Sequence, residues 1–399
     1  MKSLLKAVAG NGGASLANLA FGLVLLKVLS VEEYGVFAFY VVLQGLGFAI
    51  SNAVFGSPLL KYSDFNDESL KVFCNVNLIY TLFFALLVFL TAYFMLDDLY
   101  SASVLALTCV FSLFRWFLRL YYANFERHEP VFYCDLIYFF MVMGFALLIF
   151  AVASDNFQFA CLGLLLPVFF SMFSFDLRLL RHHFDFTNLK HFDLFKRGFK
   201  SQGKHSLQGV IATEVVSSGH SYALAVFFGP AAFAPIAFLQ LFFRPVGVVL
   251  TAISQIKRPV VAKKMRDKES CCTELKQGFI LSSAFFLVNF IFAAIVIFYF
   301  INAFENKFKL DSGVLIFSFL LIALSSTLKV FRNSSSILLQ AADQFRYLAR
   351  STLLSAVLCI SLVGLMIYLK EPYLTLIPIV LADFLLYLLM RNRAKKYVN

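Results

Sequence analysis

Two pairs of basic residues sit inside apolar runs at helical spacing: Arg115 with Arg119, and Lys329 with Arg332. Steps of three or four residues put both members of a pair on one helix face. A charge within bilayer hydrocarbon is costly, so it faces a partner or a water-filled cavity, or it snorkels to the interface. Guanidinium and ammonium groups gathered on one face bind phosphate, pyrophosphate or carboxylate. Anion recognition is therefore the chemistry these four residues offer. Each pair belongs to a longer stripe, Arg115, Arg119, Tyr122 and Glu126 in one and Ser325, Lys329, Arg332, Ser336, Gln340 and Asp343 in the other. Snorkelling accounts for either pair alone; two matching cationic stripes favour a cavity, because snorkelling does not demand a single face.

Arg244 and Glu214 extend the set. At a rise of about 1.5 Å per residue, Arg244 lies about 18 Å into its apolar run and Glu214 at a similar level, both near a bilayer midplane. They read either as a buried ion pair across a hairpin, or as an anion-binding Arg244 beside a Glu214 that exchanges a proton or a cation. Pro245 follows Arg244 directly and frees a backbone carbonyl there. Asn11, Ser15, Asn18 and Gly22 share one face of the first run; Glu214, Ser218 and Ser221 share one face of another. The small residues read as helix-packing positions, whereas Asn11 and Asn18 point to a polar cavity.

Nothing in the sequence points to catalysis. His182, His183 and His191 lie in a basic loop and read as solvated rather than as metal ligands. There is no phosphate-binding Gly-Lys loop, which excludes ATP hydrolysis by this chain. The seven cysteines lack metal-ligand spacing, and the adjacent Cys271 and Cys272 read as reduced thiols.

Side chains so placed need membrane-spanning helices to carry them. Runs of about twenty apolar residues, the length that crosses a bilayer as a helix, fall at 6–29, 33–56, 73–96, 99–123, 133–153, 157–177, 205–228, 232–254, 275–301, 312–336, 348–369 and 372–391. With 61% hydrophobic residues, 14% charged and 51 Phe, a soluble protein could not hide its apolar surface. A membrane barrel is excluded because Leu281–Phe300 and Leu353–Leu369 are apolar on every face. The formal charge of +11 does not signal nucleic acid, since the basic residues sit in alternate loops rather than one patch. By the positive-inside rule both termini and the loops 57–72, 124–132, 178–204, 255–274 and 337–347 are cytoplasmic. The outer loops lean acidic and are too short to form a catalytic domain. The first run is too long for a cleavable signal peptide and is expected to remain as a helix.

The fold expected is an all-α polytopic membrane protein of about twelve transmembrane helices in two pseudo-symmetric six-helix lobes. The lobes are 1–178 and 205–399, joined by a basic cytoplasmic linker, 179–204. At an offset of about 200 residues the turn Leu29–Phe37 aligns with Phe228–Ile236, and Pro58 with Pro259, each ending a span. A second match sets Phe114–Arg119 over Leu328–Arg332. The order of helices makes this a parallel repeat, an arrangement transporters use to build a site that opens to either side.

Four segments carry a family resemblance: Gly10-Asn11-Gly12-Gly13-Ala14-Ser15 opening the first run, Glu33-Tyr34-Gly35 closing the first turn, Phe243-Arg244-Pro245, and Leu339-Gln340-Ala341-Ala342-Asp343. The chain resembles the polysaccharide-transport family of lipid-linked oligosaccharide flippases, the O-antigen or Wzx type, within the multidrug/oligosaccharidyl-lipid/polysaccharide exporter superfamily, which has a MATE-like fold. The resemblance implies a bacterial inner-membrane protein with two lobes around a V-shaped cationic cavity. Its cargo would be an undecaprenyl-pyrophosphate-linked oligosaccharide passed from the cytoplasmic to the periplasmic leaflet. Arg115, Arg119, Lys329 and Arg332 would capture the head group, with Asn11 and Asn18 nearby; Arg244 would hold it midway, and Glu214 would carry the coupling ion. No cofactor is called for, H+ or Na+ being the candidate coupling ions. Membrane lipids and the polysaccharide polymerase and chain-length machinery are the partners implied, with no nucleic acid. Two alternatives stay open: a drug-cation antiporter of the same superfamily, for which the candidate face is too cationic, and a membrane-embedded glycan polymerase or transferase, which would need a larger catalytic loop.

Overall fold

The computed structural model describes residues 2–59, 67–125, 127–152, 156–185 and 192–397, with side chains of the first helix described from Gly12 onward. All regular secondary structure among these residues is helical. Eleven helices are long and apolar enough to cross a membrane, and the described side chains of the first helix add the shorter apolar segment Gly12–Val28. The chain divides into two compact units, Met1–Ile211 and Ala212–Asn399.

The first unit is built on α1 (Lys2–Val28), α2 (Val31–Ser51), α3 (Asp67–Leu96), α4 (Leu99–Asn124), α5 (His128–Val152) and α6 (Phe157–Ser171). α1 packs along α5, α3 along α4, and α6 against both α4 and α5. The turn into α2 is a capping box: the Ser30 hydroxyl accepts from the Glu33 backbone N–H at 3.2 Å, and the Glu33 carboxylate accepts from the Ser30 N–H at 2.9 Å. Two amide donors that a helix start leaves orphaned are thereby satisfied. Tyr34 then turns into the core beside Phe37, whose ring meets Phe21 edge-on at 6.0 Å. In the Glu33-Tyr34-Gly35 segment, Glu33 thus completes a local helix cap and Tyr34 a packed core.

Within the described parts of the basic stretch 178–204, an aromatic ring and a histidine are buried. A short helix, Phe192–Gly198, inserts Phe195 into the core of the first unit, 5.3 Å from the ring of Phe73 and 6.0 Å from that of Phe55. Burying such a ring is worth about 2 kcal/mol. His183, expected in solvent, is fully buried: Nδ1 donates to the Leu179 carbonyl at 3.0 Å, Nε2 meets the Asn77 amide at 3.3 Å, and Phe114 and Phe117 close over it. The helix Leu177–His182 folds this histidine back onto α3 and α4, an outcome that loop composition does not encode. His191 lies outside the described residues.

In the second unit the helices are α7 (Lys204–Ala223), which begins just before the division, α8 (Pro230–Arg266), α9 (Cys272–Tyr299), α10 (Ser312–Ala341), α11 (Phe345–Tyr368) and α12 (Leu376–Ala394). α10 packs against α8, α9 and α12, and α11 against α12. The turn into α8 uses different chemistry from the turn into α2. Gly229 takes φ +87°, a left-handed value that favours glycine, and Pro230 occupies the first helical position. α8 does not stop near Pro259 as expected. It continues to Arg266, with Val261 wholly buried against the core near Leu338 and Leu339. A proline inside a helix costs about 3 kcal/mol. Here the extension is tied down by Glu274 of α9, which accepts from Lys257 at 2.6 Å and from Lys264 at 3.2 Å.

Candidate functional site

Each unit holds a pair of cations around one buried carboxylate. In the first unit, Arg115 and Arg119 project from successive turns of α4 toward Asp135 of α5. The Arg115 Nη2 donates to Asp135 Oδ1 at 2.9 Å, and Arg119 Nη1 bonds the same oxygen. Arg115 Nε also reaches the Cys134 sulfur at 3.0 Å, and its guanidinium lies 4.2 Å from the centre of the Tyr138 ring. The Tyr138 hydroxyl donates to Asn18 Oδ1 at 2.8 Å, which draws α1 into the network. Asn18, Arg115 and Arg119 are therefore brought together as one chain of contacts. Asp135 is 1% exposed and the two arginines 12% and 13%, so this cluster is closed and internally satisfied.

Tyr122 leaves the stripe to which its spacing assigns it. It is buried, stacks on Phe175 at 5.2 Å, and accepts from the Asp176 N–H at 3.2 Å. Asn11 and Glu126 lie outside the described side chains.

The second unit repeats the idea with a different partner helix. Arg332 Nη1 donates to Asp383 Oδ1 at 2.8 Å; Ser325, two turns earlier on α10, donates to Oδ2 at 2.6 Å; Lys329 Nζ stands 3.8 Å from Oδ2. Asp383 is 0% exposed, but Arg332 is 19% and Lys329 32% exposed, because their outer faces line a cavity of about 420 Å³ between α8 and α10. Thr251, Ser254 and Arg258 line it from α8, and Asn333, Ser336 and Gln340 from α10. Ser254 donates to Asn333 at 2.9 Å, and Arg258 to Gln340 at 3.3 Å, which fixes the polar walls. With three cations to one carboxylate, the cavity is net positive. Hydroxyls and amides supply the remaining hydrogen-bonding groups.

The sequence is matched by no family model and by no curated protein. Solved structures do match it along nearly its whole length. An inward-facing multidrug resistance MATE family transporter of the MOP superfamily superposes with a TM-score of 0.62 at 12% identity, over 96% of this chain and 95% of that one. An outward-facing MATE family transporter gives 0.56 at 14% identity, over 100% and 96%. A MOP superfamily transporter from Pyrococcus furiosus Vc1, for which a reversed polarity of the binding pocket suggests a different function, also gives 0.56 at 14%, over 100% and 96%. The fold is that of the MATE transporters.

Within this MATE fold, the midplane residues settle differently from the cation pairs. Among the described residues no ion pair joins Glu214 to Arg244. The Glu214 carboxylate instead accepts from the Tyr222 hydroxyl at 2.9 Å, two turns along α7. Both residues are half-buried. On α7, His220 is buried with its Nε2 against Gln240 of α8 and 3.2 Å from the Ser221 hydroxyl. Lys27, exposed in the last turn of α1, rests over the ring of Phe150 at 4.2 Å.

Two residues central to the MATE-fold clusters, Asp135 and Asp383, escape a reading that tracks cations. Asp383 is a lone carboxylate inside the apolar run 372–391, and a search for carboxylates in spans finds it. Asp135 stands near the start of its run, where a charge reads as an ordinary flanking residue. The repeat gives no help with either. α4 and α10 carry corresponding cations, but the carboxylates come from α5 in one unit and α12 in the other.

Proposed function

We propose that this protein is a transporter of the MATE fold whose cargo carries an anionic head group, and that the cargo is a lipid-linked oligosaccharide moved across a bacterial inner membrane. One observation carries the reading: the cavity between α8 and α10, lined by Arg258, Lys329 and Arg332 with hydroxyl and amide neighbours. Its volume of about 420 Å³ lies at the lower end of the about 300–1,000 Å³ typical of small-ligand pockets. It fits a pyrophosphate with an adjoining sugar rather than a whole oligosaccharide, leaving a polyprenyl tail in lipid. Arginine forks and a lysine point charge supply the charge-assisted bonds that a pyrophosphate needs in a low-dielectric site.

The cation cluster of the first unit plays a different part in this reading. Its arginines spend their bonds on Asp135, Cys134 and Tyr138, and only about an eighth of each side chain is exposed. We assign it to holding α1, α4 and α5 together. A cationic drug is the cargo suggested by the multidrug transporters of the same fold, and the net positive cavity disfavours it by like-charge repulsion.

Deleting the gene in its native host and measuring lipid-linked glycans on each membrane leaflet tests the proposal. A pyrophosphate-linked glycan should accumulate on the cytoplasmic leaflet, and a Lys329→Ala gene should fail to clear it. Accumulation of no lipid-linked glycan, with altered resistance to cationic compounds instead, would replace the reading with drug antiport.

A further inference from the structure

Asp383 occupies a specific position relative to the cavity. It lies behind the cavity wall, with no surface of its own exposed, and touches the two lining cations from the far side. The contacts are unequal. Arg332 gives it a close bond of 2.8 Å and the Ser325 hydroxyl one of 2.6 Å to Oδ2, whereas Lys329 stands 3.8 Å from that same oxygen. Lys329 is thus the less committed of the two and the more exposed to the cavity. Among the described residues, the charged and titratable groups facing this carboxylate are Lys329 and Arg332 from α10 and Cys359 from α11, and no second carboxylate is paired with these cations.

We propose that Asp383 is a built-in counter-anion that competes with cargo for Lys329 and Arg332, and so sets which anions the cavity accepts. The inference rests on the reading of the cavity as an anion site. A negative charge fixed within a few ångströms of the site, in a region of low dielectric, lowers the affinity of every anion. A single negative charge gains too little from two half-satisfied cations to redirect them. A pyrophosphate, with several charges and two groups to bridge, can draw Lys329 off its long contact and share Arg332, whose remaining donors are uncommitted among the described residues. Ser325 keeps its bond to Oδ2 throughout, so the carboxylate is not left without a partner. Selectivity then comes from the cost of outcompeting an internal ligand as well as from attraction to the external one.

The competitor role and a merely positioning role for Asp383 predict opposite signs, and calorimetric titration of the purified full-length protein with inorganic pyrophosphate and with inorganic phosphate separates them. Asp383→Asn removes the charge and keeps the shape. It should bind pyrophosphate about tenfold more tightly than the unmodified protein, and phosphate more tightly as well. Ser325→Ala, a mild change that removes the other donor to Oδ2 and so strengthens the carboxylate's pull on Lys329, should weaken pyrophosphate binding several-fold, and it keeps the test open if Asp383→Asn does not fold. Unchanged or weaker binding by Asp383→Asn, or unchanged or tighter binding by Ser325→Ala, overturns the proposal while leaving the cavity as an anion site. Binding of neither anion by the unmodified protein or by any variant overturns both.

Discussion

Arg332 of α10 holds Asp383 of α12 at 2.8 Å while its own outer face lines a polar cavity. One residue therefore does two things: it neutralises a fully buried carboxylate and presents positive charge to whatever enters from the cavity side. In the first unit, Arg115 and Arg119 do only the former for Asp135.

Removing both arginines from the closed cluster should strand Asp135. The double variant Arg115→Met with Arg119→Met is expected to lose about 3 kcal/mol of stability, the scale for an uncompensated buried charge. Adding Asp135→Leu should restore most of it, since replacing a whole buried ionic group by apolar residues is often neutral. Thermal unfolding followed by size-exclusion recovery measures this. A triple variant that folds normally yet fails to transport would give these arginines a role in cargo handling.

Lys329 is the opposite case. A third exposed and 3.8 Å from its carboxylate, it contributes little to folding. Lys329→Ala should melt within a few degrees of the unmodified protein, and pyrophosphate binding should fall about tenfold or more with the loss of a charge-assisted contact. Normal binding in a stable variant would remove Lys329 from the site.

Glu214 and Arg244 are both half-buried, with no ion pair between them among the described residues. The double variant Glu214→Gln with Arg244→Leu is expected to insert and fold, keeping a hydrogen bond from Tyr222 to the amide oxygen, and to lose transport. A folded double variant that still supports surface polysaccharide would take both residues out of the mechanism.

Asp98 gives a pH prediction outside the membrane-spanning segments. Its carboxylate accepts from the Ser101 hydroxyl at 2.5 Å and from the N–H groups of Tyr100 and Ser101 at the start of α4. The Ser101 hydroxyl, more than any other group, holds its carboxyl below the ordinary aspartate range. A depressed carboxylate stabilises the fold above its unfolded pKa and loses that contribution as pH falls through the folded value. The melting difference between the unmodified protein and Asp98→Asn should therefore be present at neutral pH and vanish well below pH 4, the ordinary range for aspartate. A difference that stays constant with pH would mean that the charge is not involved.

The positive-inside rule gives an orientation that labelling tests. Single cysteines placed at Asp98 and Asn306 in a background without native cysteines should react with an impermeant thiol reagent added outside, while one at Lys264 should react only after the membrane is opened. The reverse pattern would invert the topology.

Sequence alone determined the helices, because a bilayer imposes a local rule: about twenty consecutive apolar residues must satisfy their own backbone, whatever surrounds them. It also determined which cations share a face, since helical periodicity is local too. Pro259 does not end α8, because ion pairs to Glu274 and burial of Val261 outweigh the proline. Tertiary structure alone decided what the cations face. Asp135 and Asp383 sit on helices whose placement beside α4 and α10 depends on packing over the whole unit. No spacing in the chain distinguishes a cation closed on a carboxylate, as Arg119 is, from one open to a cavity, as Lys329 is. The burial of His183 has the same origin: a polar loop residue became a core residue when a short helix folded onto a surface that the loop's own sequence does not contain.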